Sequence, residues 1–280
     1  MTRQDVSPQP VRVVPAAEFS VREFARTAHG SHRAHLELAA YRRSPLDPAT
    51  VELVDLLARL EHGALSYLRS VLVTPTHKDA RVTAFLVTWA YEKYWVADAL
   101  EQVAAAHPPH PSTVADVPRL RRVRLGLAER LEPITESVVT NLIGDDVVAV
   151  HTAAAAIDEW IVQSAYRRLA ERVTHPQFAA TLERLLAVKR PHGTFLAADA
   201  RDRLAASPRA GRLARRRLSR TTWPLGSAAE PPALVARLLG DVVGAGELAL
   251  VDARVDALPW LAGLDPARTA ARRAAKAALR

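Results

Sequence analysis

The sequence predicts an all-α protein, and three observations carry that prediction. Ala, Leu, Arg and Val dominate the 280 residues, whereas aromatic residues make up 5% of the chain and glycine occupies 11 positions, a balance that favours helices over sheets. Apolar residues recur at helical spacing over long stretches, while no stretch sustains the alternation of a strand. The chain carries no internal repeat of about 20 to 50 residues.

The first 50 residues are expected to precede the main bundle. Residues 1–15 are rich in proline and polar residues, which is typical of a flexible N-terminus. A helix is predicted over 17–41, within an N-terminal unit of helix and loop at 16–50, although Gly30 and Ser31 weaken it.

This predicted helix carries three histidines at a spacing of three residues, so that neighbouring imidazoles share a face. They could form a metal site, but we interpret them as a surface cluster. The histidines are His29, His32 and His35.

Long helices follow, punctuated by proline and N-cap residues. Residues 51–227 are assigned to a helical bundle and residues 228–280 to C-terminal helices with a basic tail. Pro191 lies inside one of the long helices and is expected to kink it. Helices are predicted over 48–73, 80–106, 118–142, 145–173, 176–206, 231–243 and 245–257.

The formal charge of +8 comes from arginine, because only four of the 38 basic residues are lysines. The densest basic block is RAGRLARRRLSR at 209–220. It fits either a patch for nucleic acid or an acidic membrane, or a solvated helix face. Because the sequence shows no helix-turn-helix spacing, zinc finger or aromatic stacking platform, we expect no nucleic-acid partner.

Several function classes are excluded. Without cysteine the chain can form no disulfide scaffold, thiol nucleophile or thiolate-bound metal. The G-x-S-x-G, G-x-G-x-x-G and P-loop patterns are absent. The N-terminus lacks the apolar region of a secretory signal, and no apolar run of about 18 residues occurs. We therefore expect a cytoplasmic protein without a membrane partner.

Each of the four longest helices has a charged or titratable residue in the middle of its apolar stripe. A buried carboxylate without a partner would be very costly, so these groups are expected to pair with one another. Four-helix bundles build their sites from such inward-facing side chains. The sequence therefore predicts a polar centre inside the bundle, formed by Glu61, Glu92, Glu159, Lys189 and His192.

Aromatic and titratable residues on the same stripes could wall a substrate pocket beside this centre, although such residues are more often ordinary core. They are Trp89, Trp95, His151, Trp160 and Tyr166.

The chain resembles the ferritin-like superfamily and, more narrowly, an actinobacterial-type group of ferritin-like domain proteins. The resemblance spans about 51–227 and implies a ferritin-like four-helix bundle, a bacterial source and a homodimer. It is carried by LEHGALSYLRSVLVTPTHKDARVTAFLVTWAYEKYWVADAL (60–100), HTAAAAIDEWIVQSAYRRLA (151–170) and THPQFAATLERLLAVKRPHGTFLAADARDRLAASP (174–208).

Di-metal members of this family take one Glu from each of two helices and Glu-x-x-His from each of the other two. The resemblance places Glu61 and Glu159 at family ligand positions. It also places Glu92 at a ligand position, but Trp95 stands where the histidine belongs. His192 stands at the other histidine, but Lys189 replaces the glutamate three residues before it.

Lys189 disfavours a complete di-iron site, because it removes a negative ligand and adds a positive charge in the same space. The ammonium group could instead pair with Glu61, Glu92 or Glu159. A single metal on these three carboxylates and His192 remains an alternative.

Three functions remain open. The first is a small-molecule enzyme without cofactor, in which the carboxylates act as bases, His192 as proton donor and Lys189 as an electrostatic or imine-forming amine. Its chemistry would be condensation, cyclisation or elimination. The second is an iron or manganese oxidoreductase that completes its ligands with another residue. The third is a non-catalytic bundle with a buried salt-bridge network. The additional ligands that the second would need are His62, His151 or Asp158.

Overall fold

A computed structural model describes residues 18–108 and 144–279, and every regular element in these two ranges is helical. The predictions made for residues 1–15 and 118–142 lie outside the described residues. In chain order the α-helices are α1 (Val21–Arg26), α2 (Leu38–Arg43), α3 (Pro48–Leu72), α4 (Ala80–Ala105), α5 (Asp146–Arg172), α6 (Pro176–Ala206), α7 (Pro208–Leu218), α8 (Pro232–Ala236), α9 (Gly244–Asp256) and α10 (Pro266–Ala278).

Shorter helical turns complete the described chain, and among its helices none is long and apolar enough to cross a membrane. A π-helix follows α8 directly, and the positive φ of Gly244 (80°) separates it from the helical turns of α9. The turns are 3₁₀ at Arg33–His35, Pro75–Lys78 and Ser227–Ala229, and π at Arg237–Val243.

The four long helices begin and end close to where the sequence predicts them, and capping side chains mark the first turns of three of them, α3, α4 and α6. The side chain of Asp47 accepts a hydrogen bond from the amide of Thr50 at the start of α3, and Asp79 does the same for Val82 at the start of α4. At the start of α6 the imidazole of His175 is the cap. This helix continues through Pro191 as one element.

The single helix predicted over 17–41 is wrong. The chain instead forms α1, the 3₁₀ turn Arg33–His35 and α2. The break falls at the residues that weaken the helix, and tertiary contacts hold the non-helical stretch. A Cβ on Gly30 would lie 3.2 Å from the hydroxyl of Tyr91 on α4, so only a small residue fits comfortably there.

Contacts at the two ends of the bundle define its topology. At one end Leu46, just before α3, donates its amide to His107, just after α4. At the opposite end Arg203, late in α6, pairs with Asp79, just before α4. The end of α6 also meets the start of α5, where Ser207 and Asp146 are hydrogen-bonded at 2.8 Å.

These contacts make α3/α4 and α5/α6 two antiparallel pairs, with α4 and α5 running in the same direction. The stretch 109–143 therefore connects opposite ends of the bundle. An arrangement of this kind, with a single long connection between two hairpins, is one of the recurrent four-helix topologies.

The core is apolar at the end of the bundle where α4 begins. The rings of Phe85 and Phe195 stack with centroids 3.9 Å apart, and Phe24 of α1 stacks on Phe85 at 5.0 Å. Not every residue of the predicted stripes is buried. Leu65, which lies four residues after Glu61 on α3, is 38% exposed.

The arginine-rich block forms α7, which packs against α5 and α6 through small residues. Ala210, Gly211 and Ala214 are buried, whereas Arg212 and Arg216 point to solvent. The arginines of the block therefore lie on an exposed helix face on the outside of the bundle.

The small residues of α7 allow the loop between α9 and α10 to pack closely. A Cβ on Gly211 would lie 2.2 Å from Cγ of Trp260, so Gly211→Ala must displace the indole. We expect a net loss of about 1 kcal/mol in unfolding free energy, because overpacking outweighs the better helix propensity of alanine. Urea denaturation checks this, with Gly240→Ala, where a Cβ meets nothing within 4 Å, as the matched control. Equal stability of the Gly211 variant and wild type would contradict the expectation.

Candidate functional site

The five residues predicted to form a polar centre are brought together inside the bundle. Each of the four long helices contributes at least one of them, and each side chain belongs to a residue no more than 1% exposed. They lie near the middle of their helices, away from the ends where water enters easily. These residues are Glu61 on α3, Glu92 on α4, Glu159 on α5, and Lys189 and His192 on α6.

Lys189 pairs with two of its three possible partners. Its Nζ lies 2.7 Å from Oε1 of Glu61 and 3.2 Å from Oε2 of Glu159. Both carboxylates are fully enclosed, so their attraction to the ammonium group is little screened by water.

Lys93 supplies a second buried ammonium group, which the sequence analysis missed. Its Nζ lies 3.1 Å from Oε2 of Glu61, 3.4 Å from Asp158 and 3.6 Å from Oε1 of Glu159. Burial alone would lower the pKa of Lys93, but the surrounding carboxylates outweigh that effect and raise it.

A signal for Lys93 is present in the sequence. The middle of α4 is apolar around most of its circumference, and such a helix is usually buried on all sides. A single stripe through Glu92 could not reveal that the next residue also faces inward.

Asp158 links the centre to the loop after α7. One carboxylate oxygen faces Lys93, and the other accepts a hydrogen bond of 2.8 Å from the amide of Leu225. Burial raises the pKa of Asp158 above its ordinary value, although Lys93 opposes this. Asp158 had been expected only as a substitute metal ligand. It acts here as a partner of an ammonium group.

Glu159 is the residue on which most of the contacts converge. Its carboxylate accepts hydrogen bonds from the indole N–H of Trp89 at 2.9 Å and the amide of Gln163 at 3.1 Å, in addition to the two lysines. Burial would raise its pKa, but Lys189 and Lys93 hold the pKa of Glu159 well below its ordinary value. Glu61 is held anionic in the same way, with its pKa lowered by the same two lysines against the effect of burial.

A chain of titratable groups leads from this cluster to the surface. Nε2 of His192 lies 2.7 Å from Oε2 of Glu92, and Nδ1 of His192 lies 3.5 Å from Oε1 of Glu159. On its other side Glu92 accepts a hydrogen bond of 2.7 Å from the amide of His29, whose imidazole Nδ1 lies 3.2 Å away. The His29 side chain is 60% exposed.

The pKa values along this chain move in opposite directions. Burial would lower the pKa of His192, but its contacts with Glu159 and Glu92 raise it. Burial would raise the pKa of Glu92, but the His192 and His29 contacts lower it. Each of the two groups thus stabilises the charged form of the other.

The residues expected to wall a pocket divide into two groups. Trp89 bonds Glu159, and the hydroxyl of Tyr166 donates to Oε1 of Glu61 at 3.1 Å, so both touch the centre. Trp160 lies beside Gly193, and Trp95 contacts the rings of two exposed tyrosines. No contact of either with the centre is found among the described residues.

The histidines considered as extra metal ligands lie elsewhere. Nδ1 of His151 lies 2.8 Å from the hydroxyl of Thr76, at the end of the bundle where α5 begins. His62 pairs with Glu101 near the surface, at 2.9 Å. Within the described ranges, no group of three or more His, Asp or Glu side chains is arranged to hold a metal ion.

The charge of the centre does not fit a di-metal site. Glu61 and Glu159, which the family resemblance places as ligands, already face two ammonium groups each. A divalent cation placed among these oxygens would stand a few ångströms from Lys93 and Lys189, and like charges at that distance repel strongly in a buried site.

The chain matches no protein-family model, no curated protein and no solved structure. The contacts between its own residues are therefore the basis for a functional proposal.

Proposed function

We propose that the protein is a metal-independent small-molecule enzyme that uses the buried Glu/Lys/His centre for acid–base chemistry of the condensation, cyclisation or elimination type. One observation carries the proposal: close contacts join the exposed imidazole of His29 to Glu92 and Glu92 to His192, whose Nδ1 lies 3.5 Å from the enclosed Glu159. A series of this kind can move protons between solvent and a site from which water is excluded.

The residues divide the work by their charges. Glu92 and His192 form the proton-transferring pair, with the carboxylate as base and the imidazolium as acid. Lys93 and Lys189 hold Glu61 and Glu159 anionic and thereby set the field in which that pair works. Neither lysine is proposed as a nucleophile, since both are enclosed by carboxylates.

The bundle is proposed to be ferritin-like. Support comes from the topology of α3 to α6, with two antiparallel pairs and one long connection between the parallel helices α4 and α5. Further support comes from the position of the centre, to which all four helices contribute. Sites in bundles of this type are built from the same kind of inward-facing side chains.

The substrate is proposed to bind where the stretch 27–35 covers α4. Arg33 and Asp98, bonded at 2.8 Å, fix this stretch on the helix. Two polar atoms in this region, Nε2 of His32 and Nε1 of Trp95, are buried without a hydrogen-bond partner among the described residues. Since such atoms are costly when left unpaired, they are suited to bond a polar small molecule.

A non-catalytic role is the second candidate, and the complete enclosure of the lysine pairs favours it. Glu61, Glu159 and Lys189 are no more than 1% exposed and are paired on both sides, as in a structural ion-pair network. The exposed His29 at one end of the network is the feature that such a role does not require.

The test measures proton exchange with small molecules. The wild type and Glu92→Gln are incubated in D₂O with a mixture of carbonyl and carboxylate compounds, with and without EDTA, and the mixture is analysed by mass spectrometry. We expect at least one compound to gain deuterium or to be converted, with or without EDTA. Glu92→Gln should slow this by about 10²- to 10⁴-fold, because it removes the base.

The matched control is Glu101→Gln, which removes the carboxylate of the imidazole–carboxylate pair near the surface and should retain full activity. A compound turned over only without EDTA would contradict the metal-independent mechanism. The structural role would be favoured over catalysis by two results together: no compound is changed, and the ¹⁵N signals of His192 titrate at the ordinary pKa of histidine.

A further inference from the structure

The two buried lysines occupy the positions of bridged cations. Oε1 of Glu61 contacts Lys189 at 2.7 Å while its Oε2 contacts Lys93 at 3.1 Å. Glu159 does the same, with Oε2 at 3.2 Å from Lys189 and Oε1 at 3.6 Å from Lys93. Each carboxylate thus spans two positive charges, as a bridging carboxylate does between two metal ions.

Charge and donor type explain why this arrangement suits cations in general. Four carboxylates surround the two ammonium groups and the imidazole, and they lie on three different helices. Oxygen ligands with one imidazole are a donor set that manganese and iron accept. An ammonium group differs from these ions in carrying one charge and in being tethered to the helix.

Two polar atoms aimed into the cluster show that the lysines do not saturate it. Oε2 of Glu61 and Nδ1 of His192 are buried and make no hydrogen bond among the described residues, although both lie near an oppositely charged group. A tethered ammonium group has three N–H donors and cannot donate a hydrogen bond to every lone pair around it. A metal ion, which attracts donors from all directions, would take both atoms as ligands.

We propose that Lys93 and Lys189 replace two divalent cations in this centre, and that removing both ammonium groups turns it into a site for Mn²⁺. The proposal concerns the charge balance of the site and does not depend on the acid–base function. It predicts that the wild type excludes metal because its own side chains neutralise the carboxylates.

The experiment is metal analysis of the double variant Lys93→Met/Lys189→Met. Methionine is close to lysine in length, so packing is largely kept while the charges are lost. The wild type and the variant are produced with added Mn²⁺, passed through gel filtration and analysed by mass spectrometry for metal content. We expect less than about 0.1 equivalent of manganese in the wild type and about one to two equivalents in the variant.

The control is Lys78→Met/Lys276→Met, which removes two exposed ammonium groups and should bind no more manganese than the wild type. A folded Lys93→Met/Lys189→Met variant without manganese overturns the proposal, and so does a wild type that holds two equivalents.

A second measurement covers the case in which the double variant fails to fold without metal. The proposal is supported if the double variant is soluble only when it is produced in medium with manganese, and if its melting temperature falls when EDTA is added. If the double variant is insoluble in both media, Lys189→Glu is tested instead, because it places a carboxylate on α6 while Lys93 remains. A Lys189→Glu variant that binds no manganese, or that is insoluble with and without it, then overturns the proposal.

Discussion

Lys189→Met alone is expected to lower the unfolding free energy by about 3–5 kcal/mol, because it leaves buried carboxylates with too little compensating charge. Lys189 is fully buried and pairs with both Glu61 and Glu159. After the substitution these two groups depend on Lys93 alone, at 3.1 and 3.6 Å. The loss is the cost of the uncompensated carboxylates, which exceeds what the intact pair contributes over an apolar core.

Urea denaturation at neutral pH measures this loss, and the exposed Lys276 provides the control, since Lys276→Met should leave stability within about 0.5 kcal/mol of wild type. Adding Glu61→Gln to Lys189→Met should recover about 1–3 kcal/mol, because it removes one of the uncompensated charges. The hydroxyl of Tyr166 can still donate to the amide oxygen at that position.

A more stable Lys189→Met protein would contradict this expectation. It would show that the carboxylates take up protons at little cost and that a well-packed apolar side chain serves the bundle better than the ion pairs do. If Glu61→Gln does not reduce the loss of unfolding free energy, the loss comes from packing rather than from uncompensated charge.

The helices of the bundle could be predicted from the sequence because local signals agree with the tertiary structure. Proline at the first turn and a capping side chain fix the start of α3, and the same holds for α6. The failed prediction over 17–41 has the opposite cause. There the backbone amide of His29 bonds Glu92 on another helix, so a long-range hydrogen bond replaces local helix formation.

The site could be predicted in part for a related reason. Glu61, Glu92 and Glu159 interrupt apolar stripes, and that pattern is visible in a single helix. Lys93 and His29 could not be placed in this way. The first faces inward only because α4 is buried on several sides, and the second reaches the site from a stretch without regular structure.

The topology needed the structure as well. The direction of each long helix follows from contacts between its ends, such as Arg203 with Asp79, and these pair residues far apart in the chain. The sequence locates the helices but not their order around the bundle.

His151→Gln is expected to flatten the pH dependence of stability between about pH 7 and pH 4. Burial lowers the pKa of His151 to about 4 in the folded protein, below the ordinary value of 6.5, and Arg217 adds to the effect. Between these two pH values the unfolded chain binds a proton at this residue that the folded chain does not bind. Stability is therefore lost as the pH falls from 6.5 towards 4, and no further loss arises from His151 below that range.

The expected loss from His151 is about 2–3 kcal/mol, somewhat less than the full pKa difference implies, because part of the side chain meets water. Unfolding free energies of wild type and His151→Gln, measured at several values between about pH 7 and pH 4, give this amount as the difference between the total losses of the two proteins over that range. Glutamine can keep a hydrogen bond with the hydroxyl of Thr76 and carries no titrating group.

The difference between the two proteins isolates His151 from other titrating groups. His32, whose pKa is also lowered by burial, destabilises both proteins equally as the pH falls. His192, whose pKa is raised by its carboxylate contacts, acts in the opposite direction in both. Parallel curves for wild type and His151→Gln would mean that His151 takes up its proton in the folded state near its ordinary pKa, and that the end of the bundle beside Thr76 is open to water.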